Sequence, residues 1–432
     1  MAELETNHLP EVCRDKMYSN DSKHRTLSVS GTTDNIGIRQ RRRLHAGQTD
    51  NHTDDDEVKS SPTKADRNLS LPGKQSAACA YCKGIPTTRQ KYLLIVKALQ
   101  SDPIDVITLK QCAISRGGLI SDELRAKVWP HLLGIEVTQV KFLPESSLMK
   151  YREYKQVLLD VNRSLKRFPP GMEESQRLGM QDEMVSIIVQ VLHNNPELCY
   201  YQGYHDIAVT FLLVTGQSLA YQILEKLSNE HLKDFMYKTM EKTTTILDYM
   251  LPLIGKSSPE LRQFMERSGV GTIFCLSWLI TWFGHVLPDF KHVVRLYDFF
   301  IACHPFMPIY LATAIVLHRE SEILECECDM AMVHHLLSKI PADLPFERLI
   351  TIAGDLFISY PPTDLEPEVI LYRKNLELKN EENKEVVRRR NIGPSLSITP
   401  RFISKRGAAI WALSAAVGVC AYVVYHYGVR WY

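Results

Sequence analysis

Apolar side chains recur every three or four positions over most of the central chain, which is the period of an amphipathic helix. One such segment follows Ser121, a residue type that often caps a helix start, and stops at Gly134, a type that often closes one. Alternating segments bounded by hairpin turns, which would indicate strands, are missing. The pattern predicts an irregular, multi-helix, all-α domain over residues 87–362. Further helices are predicted over roughly 149–168, 173–194, 205–215, 218–228, 238–254, 258–267, 272–287, 291–302, 308–325, 329–338 and 346–358.

One stretch inside this domain is long enough and apolar enough to suggest a membrane span. Residues 269–287 contain no Asp, Glu, Lys or Arg, but they include three glycines and a histidine. An amphipathic helical pattern follows at once over 291–302. A helix that is apolar on every side also suits the centre of a large helical domain. We favour a core segment here, with a membrane span as the alternative.

A second uncharged stretch lies near the C-terminal end, over residues 407–427. It is close to the length that crosses the hydrocarbon core of a bilayer, about 30 Å. Tyrosines crowd its far end and basic residues precede it, so the positive-inside rule places the preceding chain in the cytosol. We therefore expect a tail-anchoring transmembrane helix over 407–427, a linker over 363–406 and a short luminal tail over 428–432. The alternative is a buried C-terminal core helix.

The first 86 residues are polar and contain two aromatic side chains, Tyr18 and Tyr81. Such a segment buries too little apolar area to offset the entropy of ordering its backbone, which predicts disorder over 1–86. A basic cluster at 39–43 suits either anionic lipid or a nuclear signal, but a solvated charge run is the simpler interpretation.

Charge and cysteine usage exclude several classes of function. Lys and Arg number 51 against 50 Asp and Glu, a net charge of +1, which disfavours nucleic acid as a partner. Cys79 and Cys82 form a CxxC pair without a second pair to complete a zinc site. Free thiols in a reducing compartment are the simpler interpretation of the ten cysteines. Motifs of the common hydrolases and nucleotide-binding enzymes are missing, and a cysteine enzyme using Cys199 or Cys275 is a remote alternative.

Two polar sites are unusual for their surroundings. Asp160 and Arg163 are three residues apart in an otherwise apolar-faced helix, so the carboxylate can orient the guanidinium. The sequence YYQGYHD at 200–206 follows a helix-breaking Asn-Pro, and Gly203 permits a turn that presents Gln202. From the residues alone, a solvated arginine and a packing turn are the simpler interpretations.

Five motifs in a fixed order resemble those of the TBC-domain family, the GTPase-activating proteins for Rab-type small GTPases. They stand here as GGLISDELRAKVWPHLLG, LLDVNRSL, YYQGYHD, SWLITWF and RLYDFF. The resemblance is sharp over 118–304 and extends over about 87–362. It implies that Arg163 is an arginine finger and Gln202 a glutamine finger, both supplied to the partner's nucleotide site. It also implies supporting roles for Asp160, Tyr201 and Gly203, and for Arg125 and Trp129 as braces of the domain.

The resemblance also implies the partner and the setting. The partner is a Rab-family GTPase in its GTP form, which itself binds the nucleotide and magnesium, so this chain needs no cofactor or metal and is an activator with no reaction of its own. The layout with a terminal span is similar to a branch of the family that implies an endoplasmic-reticulum anchor, a cytosol-facing domain and the ER-to-Golgi step. The alternative is a membrane-tethered adaptor that binds a small GTPase without accelerating hydrolysis. Arg163 together with Gln202 favours the activator.

Overall fold

The computed structural model describes residues 87–163 and 172–391, and every regular element within those ranges is a helix. This confirms the all-α prediction for that part of the chain. The α-helices are α1 Thr88–Gln100, α2 Val106–Ile114, α3 Asp122–Leu132, α4 Glu145–Leu148, α5 Tyr154–Arg163, α6 Glu174–Asn194, α7 Tyr204–Thr215, α8 Gln217–Asn229, α9 Glu241–Leu247, α10 Met250–Ser257, α11 Pro259–Ser268, α12 Leu276–Ile280, α13 Phe290–Ala302, α14 Met307–His318, α15 Glu320–Glu325, α16 Met330–Leu337, α17 Phe346–Ser359 and α18 Pro362–Asn391. Two 3₁₀ turns, Lys233–Phe235 and Ile273–Cys275, lie between them.

The first helix begins where the polar N-terminal segment ends. Thr87 caps α1 in a reciprocal capping box with Gln90, each side chain accepting a hydrogen bond from the other residue's backbone N–H. The local sequence therefore fixes the start of the helical domain.

The centre of the domain is α14, which is buried along its whole apolar length from Met307 to Leu317. It packs against α17 and α10. A helix that is apolar on every side is stable in water only when other helices cover it on every side. This explains why α14 lies at the centre of the domain.

The stretch 269–287 lies in the core, as expected, but the predicted helix over 272–287 is wrong. Trp278, Leu279, Trp282 and Phe283 have no exposed surface. The helix α12 covers only 276–280, because Trp282 and Phe283 adopt left-handed backbone angles, with φ of 46° and 64°. Such angles are costly for bulky side chains and persist only where surrounding packing fixes them.

Among the described residues, Tyr204–Asn229 is the stretch long and apolar enough to cross a membrane by length and composition. Of its most apolar 18 residues, 61% are buried inside the fold. Gly216, with φ of 74°, divides it into α7 and α8. These features are those of paired core helices.

The predicted linker begins as a helix, since α18 runs from Pro362 to Asn391. The compact unit that contains α1–α17 ends at Tyr372, and a second unit begins at Arg373. The segment 1–86, the rest of the linker, the span at 407–427 and the tail at 428–432 lie outside the described residues.

Candidate functional site

Helix α5 carries the first candidate side chain on its last residue. Its inner side is formed by Val157, Asp160 and Val161, which are buried, and its outer side includes Leu159 and Arg163, which are exposed. Two apolar residues at a helical spacing are enough to fix which face turns to the core. The arginine therefore projects from the domain on a helix whose rotation is set by its core contacts.

The carboxylate of Asp160 is buried, with 1% of the residue exposed, yet it holds the arginine only loosely. Its Oδ2 accepts hydrogen bonds from Gln156 Nε2 and from the Tyr200 hydroxyl, each at 3.1 Å. Arg163 Nη1 lies 3.8 Å from the other oxygen, and the arginine side chain is 64% exposed. Neutral donors thus fix the carboxylate, and the cation keeps most of its donors available.

The second candidate side chain stands on the loop between α6 and α7. Gln202 is exposed and precedes Gly203, whose φ is 110°. A Cβ at Gly203 would lie 2.8 Å from Thr281 Cγ2, so both the backbone angle and the close approach require glycine. On the other side of Gln202, the Tyr201 hydroxyl donates to the Ile280 carbonyl at 2.8 Å. The two neighbours fix the loop on the body of the domain and leave the amide facing outward.

Tyr200 brings the two predicted sites together. Its hydroxyl donates to Asp160 and also lies 3.1 Å from His205 Nδ1. Burial and the nearby Asp160 carboxylate raise the pKa of the Tyr200 phenol far above its usual value, so the hydroxyl keeps its proton. The loop that carries Gln202 is therefore bonded to the helix that carries Arg163.

Sequence reasoning did not assign a role to Tyr200 or Gln156. The four-residue spacing of Gln156 and Asp160 on one helical face is a signal that was available. The contact between Tyr200 and Asp160 joins residues forty positions apart, and no local pattern marks it.

Behind the loop, a buried carboxylate joins α7 to the turn after α12. Asp206 Oδ2 lies 3.0 Å from His285 Nδ1 and 3.8 Å from His205 Nε2. Within the described ranges, no three His, Cys, Asp or Glu side chains are placed to hold a metal ion. These groups join neighbouring elements at the base of the loop.

Arg125 and Trp129 lie at a different place, around the fully buried Asp298 of α13. Arg125 Nη2 and Trp129 Nε1 donate to the two oxygens of Asp298 at 3.0 and 2.9 Å, and the backbone N–H of Leu119 adds a third bond at 2.9 Å. Arg125 also binds Asp122 at 2.7 Å. Its side chain is 8% exposed. The polar partners of Arg125 and Trp129 lie on α3 and α13, and Trp129 also packs edge-on against Phe211 of α7.

The geometry disfavours a nucleophilic cysteine at Cys275. The thiol is completely buried, and burial raises its pKa well above the usual value. The thiolate is the nucleophilic form of cysteine. Because the raised pKa keeps Cys275 protonated, this environment suppresses its reactivity.

Comparisons with known proteins agree with the motifs. A sequence model of the Rab-GTPase-TBC domain matches residues 122–324. TBC1 domain family member 20 of Homo sapiens is 59% identical over 281 residues, which cover 65% of this chain and 70% of that protein. GTPase-activating protein gyp10 of Schizosaccharomyces pombe is 34% identical over 269 residues, covering 60% of this chain and 71% of that protein.

A solved structure shares the fold. The crystal structure of the Ypt/Rab-GAP domain of Gyp1p superposes with a TM-score of 0.50, covering 63% of this chain and 98% of that one at 16% identity. At this identity the likeness concerns the helical architecture alone. Taken with the identity to two relatives over more than two thirds of their length, the matched domain confirms the resemblance: this chain belongs to the Rab-GTPase-TBC domain family, the Rab GTPase-activating domains whose partners are small GTPases.

Proposed function

We propose that this protein accelerates GTP hydrolysis by a Rab-family GTPase in its GTP form by lending Arg163 and Gln202 to the partner's nucleotide site. One observation carries the proposal. Arg163 is 64% exposed beside a carboxylate that is buried and already held by two neutral donors. An arginine in this state is oriented by its helix and remains free to bind a second anion.

The chemistry of phosphoryl transfer suits these two groups. The transferred phosphoryl passes through a loose transition state, so catalysis consists of positioning and charge stabilisation. The Arg163 guanidinium supplies positive charge where negative charge develops. The Gln202 amide can accept from and donate to the attacking water, which orients it for in-line attack. The nucleotide and magnesium belong to the partner, and the chain contributes side chains alone.

Separation of Arg163 from Asp160 costs little free energy. An exposed ion pair contributes about 0–1 kcal/mol, and the contact to Asp160 is long at 3.8 Å. Leu159 lies one turn earlier on the same face of α5 and is 43% exposed. It offers apolar contact to a protein surface beside the inserted arginine.

We infer further that the domain faces the cytosol from the endoplasmic-reticulum membrane and acts at the ER-to-Golgi step. The support is the uncharged stretch at 407–427, the basic residues before it and the similarity of this layout to one branch of the family. Deletion of 407–432 is expected to move the full-length protein from the membrane fraction to the soluble fraction. Persistent membrane association of the shortened protein would contradict the anchor.

Single-turnover GTP hydrolysis by a panel of Rab proteins tests the activity. The wild-type protein is expected to accelerate at least one Rab strongly, and Arg163→Ala is expected to abolish the acceleration. Arg89→Ala, which removes an exposed arginine from α1, is the matched control and should behave as wild type. Binding without acceleration by the wild-type protein would identify an adaptor instead.

A further inference from the structure

The turn that leads into α5 forms hydrogen bonds with the Gln202 loop through two adjacent charged residues. Arg152 Nη2 donates to the carbonyls of Leu198 and Pro196, at 3.0 and 3.4 Å. Glu153 Oε1 accepts the backbone N–H of Tyr200 at 3.3 Å. We call Arg152 and Glu153 the clamp. Its contacts run from Pro196 to Tyr200, which is two residues before Gln202.

Because of the clamp, Tyr200 is bound at two points to α5 and the turn before it. The backbone of Tyr200 is bound to Glu153 and its hydroxyl to Asp160, two positions seven residues apart along α5 and the turn before it. Two turns of helix separate such positions by about 10 Å. One bond alone leaves the loop free to pivot about it, whereas two separated bonds fix both its position and its tilt relative to α5.

The two residues of the clamp also lie beside each other as an ion pair. Glu153 Oε2 is buried without a hydrogen bond, and its compensation is the Arg152 guanidinium, with Nε at 3.6 Å. The opposite charges of Arg152 and Glu153 therefore face each other while both side chains bind the loop. The loop is tied to the rest of the domain elsewhere, through Cys199 N–H to the Met236 carbonyl and Tyr201 to the Ile280 carbonyl. The clamp binds this part of the loop to the turn that leads into α5, the helix that carries Arg163.

We propose that Arg152 and Glu153 are positioning residues that set where Gln202 stands relative to Arg163. This inference rests on the proposed function and adds a condition to it, namely that the two fingers act as one rigid unit. Displacement of a catalytic group by about 1 Å costs on the order of 10²-fold in rate. Arg163 is fixed by α5, so loss of the clamp displaces Gln202 and leaves the arginine in place.

Single-turnover hydrolysis by a responsive Rab, with the full-length protein, tests the clamp. Glu153→Ala is expected to lower the maximal rate roughly 10- to 100-fold, with unchanged KM for the Rab and unchanged melting temperature. Glu153→Gln keeps an oxygen that accepts from Tyr200 and should recover most of the rate. In a Gln202→Ala background, Glu153→Ala should have little further effect, because it acts through Gln202. Glu123→Ala, which breaks an exposed ion pair with Lys127 on α3, is the control.

The outcomes separate the clamp from the proposed function. An equal loss from Glu153→Ala with and without Gln202 would show that the residue acts elsewhere and would overturn the inference. The inference would also fail if Glu153→Ala kept the full rate, or if its loss tracked a lower melting temperature. If the Arg163→Ala variant accelerated hydrolysis as much as the wild-type protein does, the proposed function itself would be overturned.

Discussion

Asp298 and Asp160 are two buried aspartates, each beside an arginine and an aromatic donor, and they hold their arginines differently. Asp298 binds Arg125 at 3.0 Å, and that side chain is 8% exposed. Asp160 lies 3.8 Å from Arg163, which is 64% exposed. At Asp298 the arginine donates directly to the carboxylate together with Trp129 and the Leu119 N–H, whereas at Asp160 the close donors are the neutral groups of Gln156 and Tyr200.

The difference separates a structural arginine from an available one. A buried charge that loses its partner is left uncompensated, so removal of one member of the Asp298 pair should destabilise the fold. An exposed guanidinium that loses its partner is still hydrated, so the Asp160 pair contributes little. Residue type and spacing to a carboxylate are therefore insufficient to tell an available arginine from a structural one, whereas exposure and the identity of the other donors separate the two.

The largest effect is expected at the available arginine. Arg163→Ala should reduce the acceleration of GTP hydrolysis by the Rab by about 10³- to 10⁵-fold, the range for arginine fingers. The melting temperature should stay within the error of the wild type, because the ion pair of this side chain within the described part of the chain is long and exposed. Parallel single-turnover and thermal-unfolding measurements check both parts. If Arg163→Ala lost activity only to the extent that it was unfolded, Arg163 would be a structural residue like Arg125, and the distinction between the two arginines would be wrong.

The next effect is expected at the structural pair. Asp298→Asn keeps the shape of the side chain but leaves the buried Arg125 with only the exposed Asp122 as a counter-charge, which should cost about 3–5 kcal/mol of unfolding free energy. Asp122→Asn is the matched control, because Asp122 is the exposed partner of the same arginine and is 52% exposed. It should cost no more than about 1 kcal/mol. Chemical denaturation of the three proteins measures both values, and equal stability of Asp298→Asn and wild type would contradict the structural role.

A smaller loss is expected at the glutamine. Gln202→Ala should lower the maximal rate about 10²- to 10³-fold, the range for removal of one group that acts on the transition state. The affinity for the Rab should change little, since the contact forms mainly during the reaction. Rate and binding titrations of the same variant separate the two quantities. Parallel losses in both would assign Gln202 to docking.

The smallest effect concerns pH on the structural side. Burial lowers the pKa of Lys91 to about 8, against an ordinary 10.5, although its ammonium donates to the carbonyls of Ser115 and Arg116. The folded state therefore disfavours the charged form; the penalty is full below pH 8 and is relieved as the pH rises towards 10.5. Relative to Lys91→Met, the wild type should gain about 2 kcal/mol of unfolding free energy between pH 7 and 9.5. A pH-independent difference between the two proteins would show that Lys91 keeps its ordinary pKa.

Much of the architecture could be predicted because caps and periodicity are local. The starts of α1 and α3 follow from Thr87 and Ser121, whose side chains accept from backbone N–H groups three residues on. The break after α12 could not be predicted, because Trp282 and Phe283 hold left-handed angles through packing from other elements. A helical period continues through such a break without any local signal.

The parts of the candidate site could be named from the sequence, but their arrangement in space could not. The motifs indicated Arg163 and Gln202, and Gly203 indicated the turn that the structure has. The contact that joins them runs through Tyr200 and depends on how α5 packs beside the loop. The clamp is equally non-local, since an adjacent Arg and Glu on a polar turn ordinarily indicate a solvated surface.

The most direct test of the two-finger account is a crystal structure of this domain bound to a responsive Rab carrying GDP, magnesium and aluminium fluoride, which mimics the transferred phosphoryl group. The account predicts the Arg163 guanidinium within hydrogen-bond distance of the mimic and the Gln202 amide on the water opposite the leaving oxygen. It predicts Arg125 still bound to Asp298. A complex in which both Arg163 and Gln202 lie away from the nucleotide would contradict it.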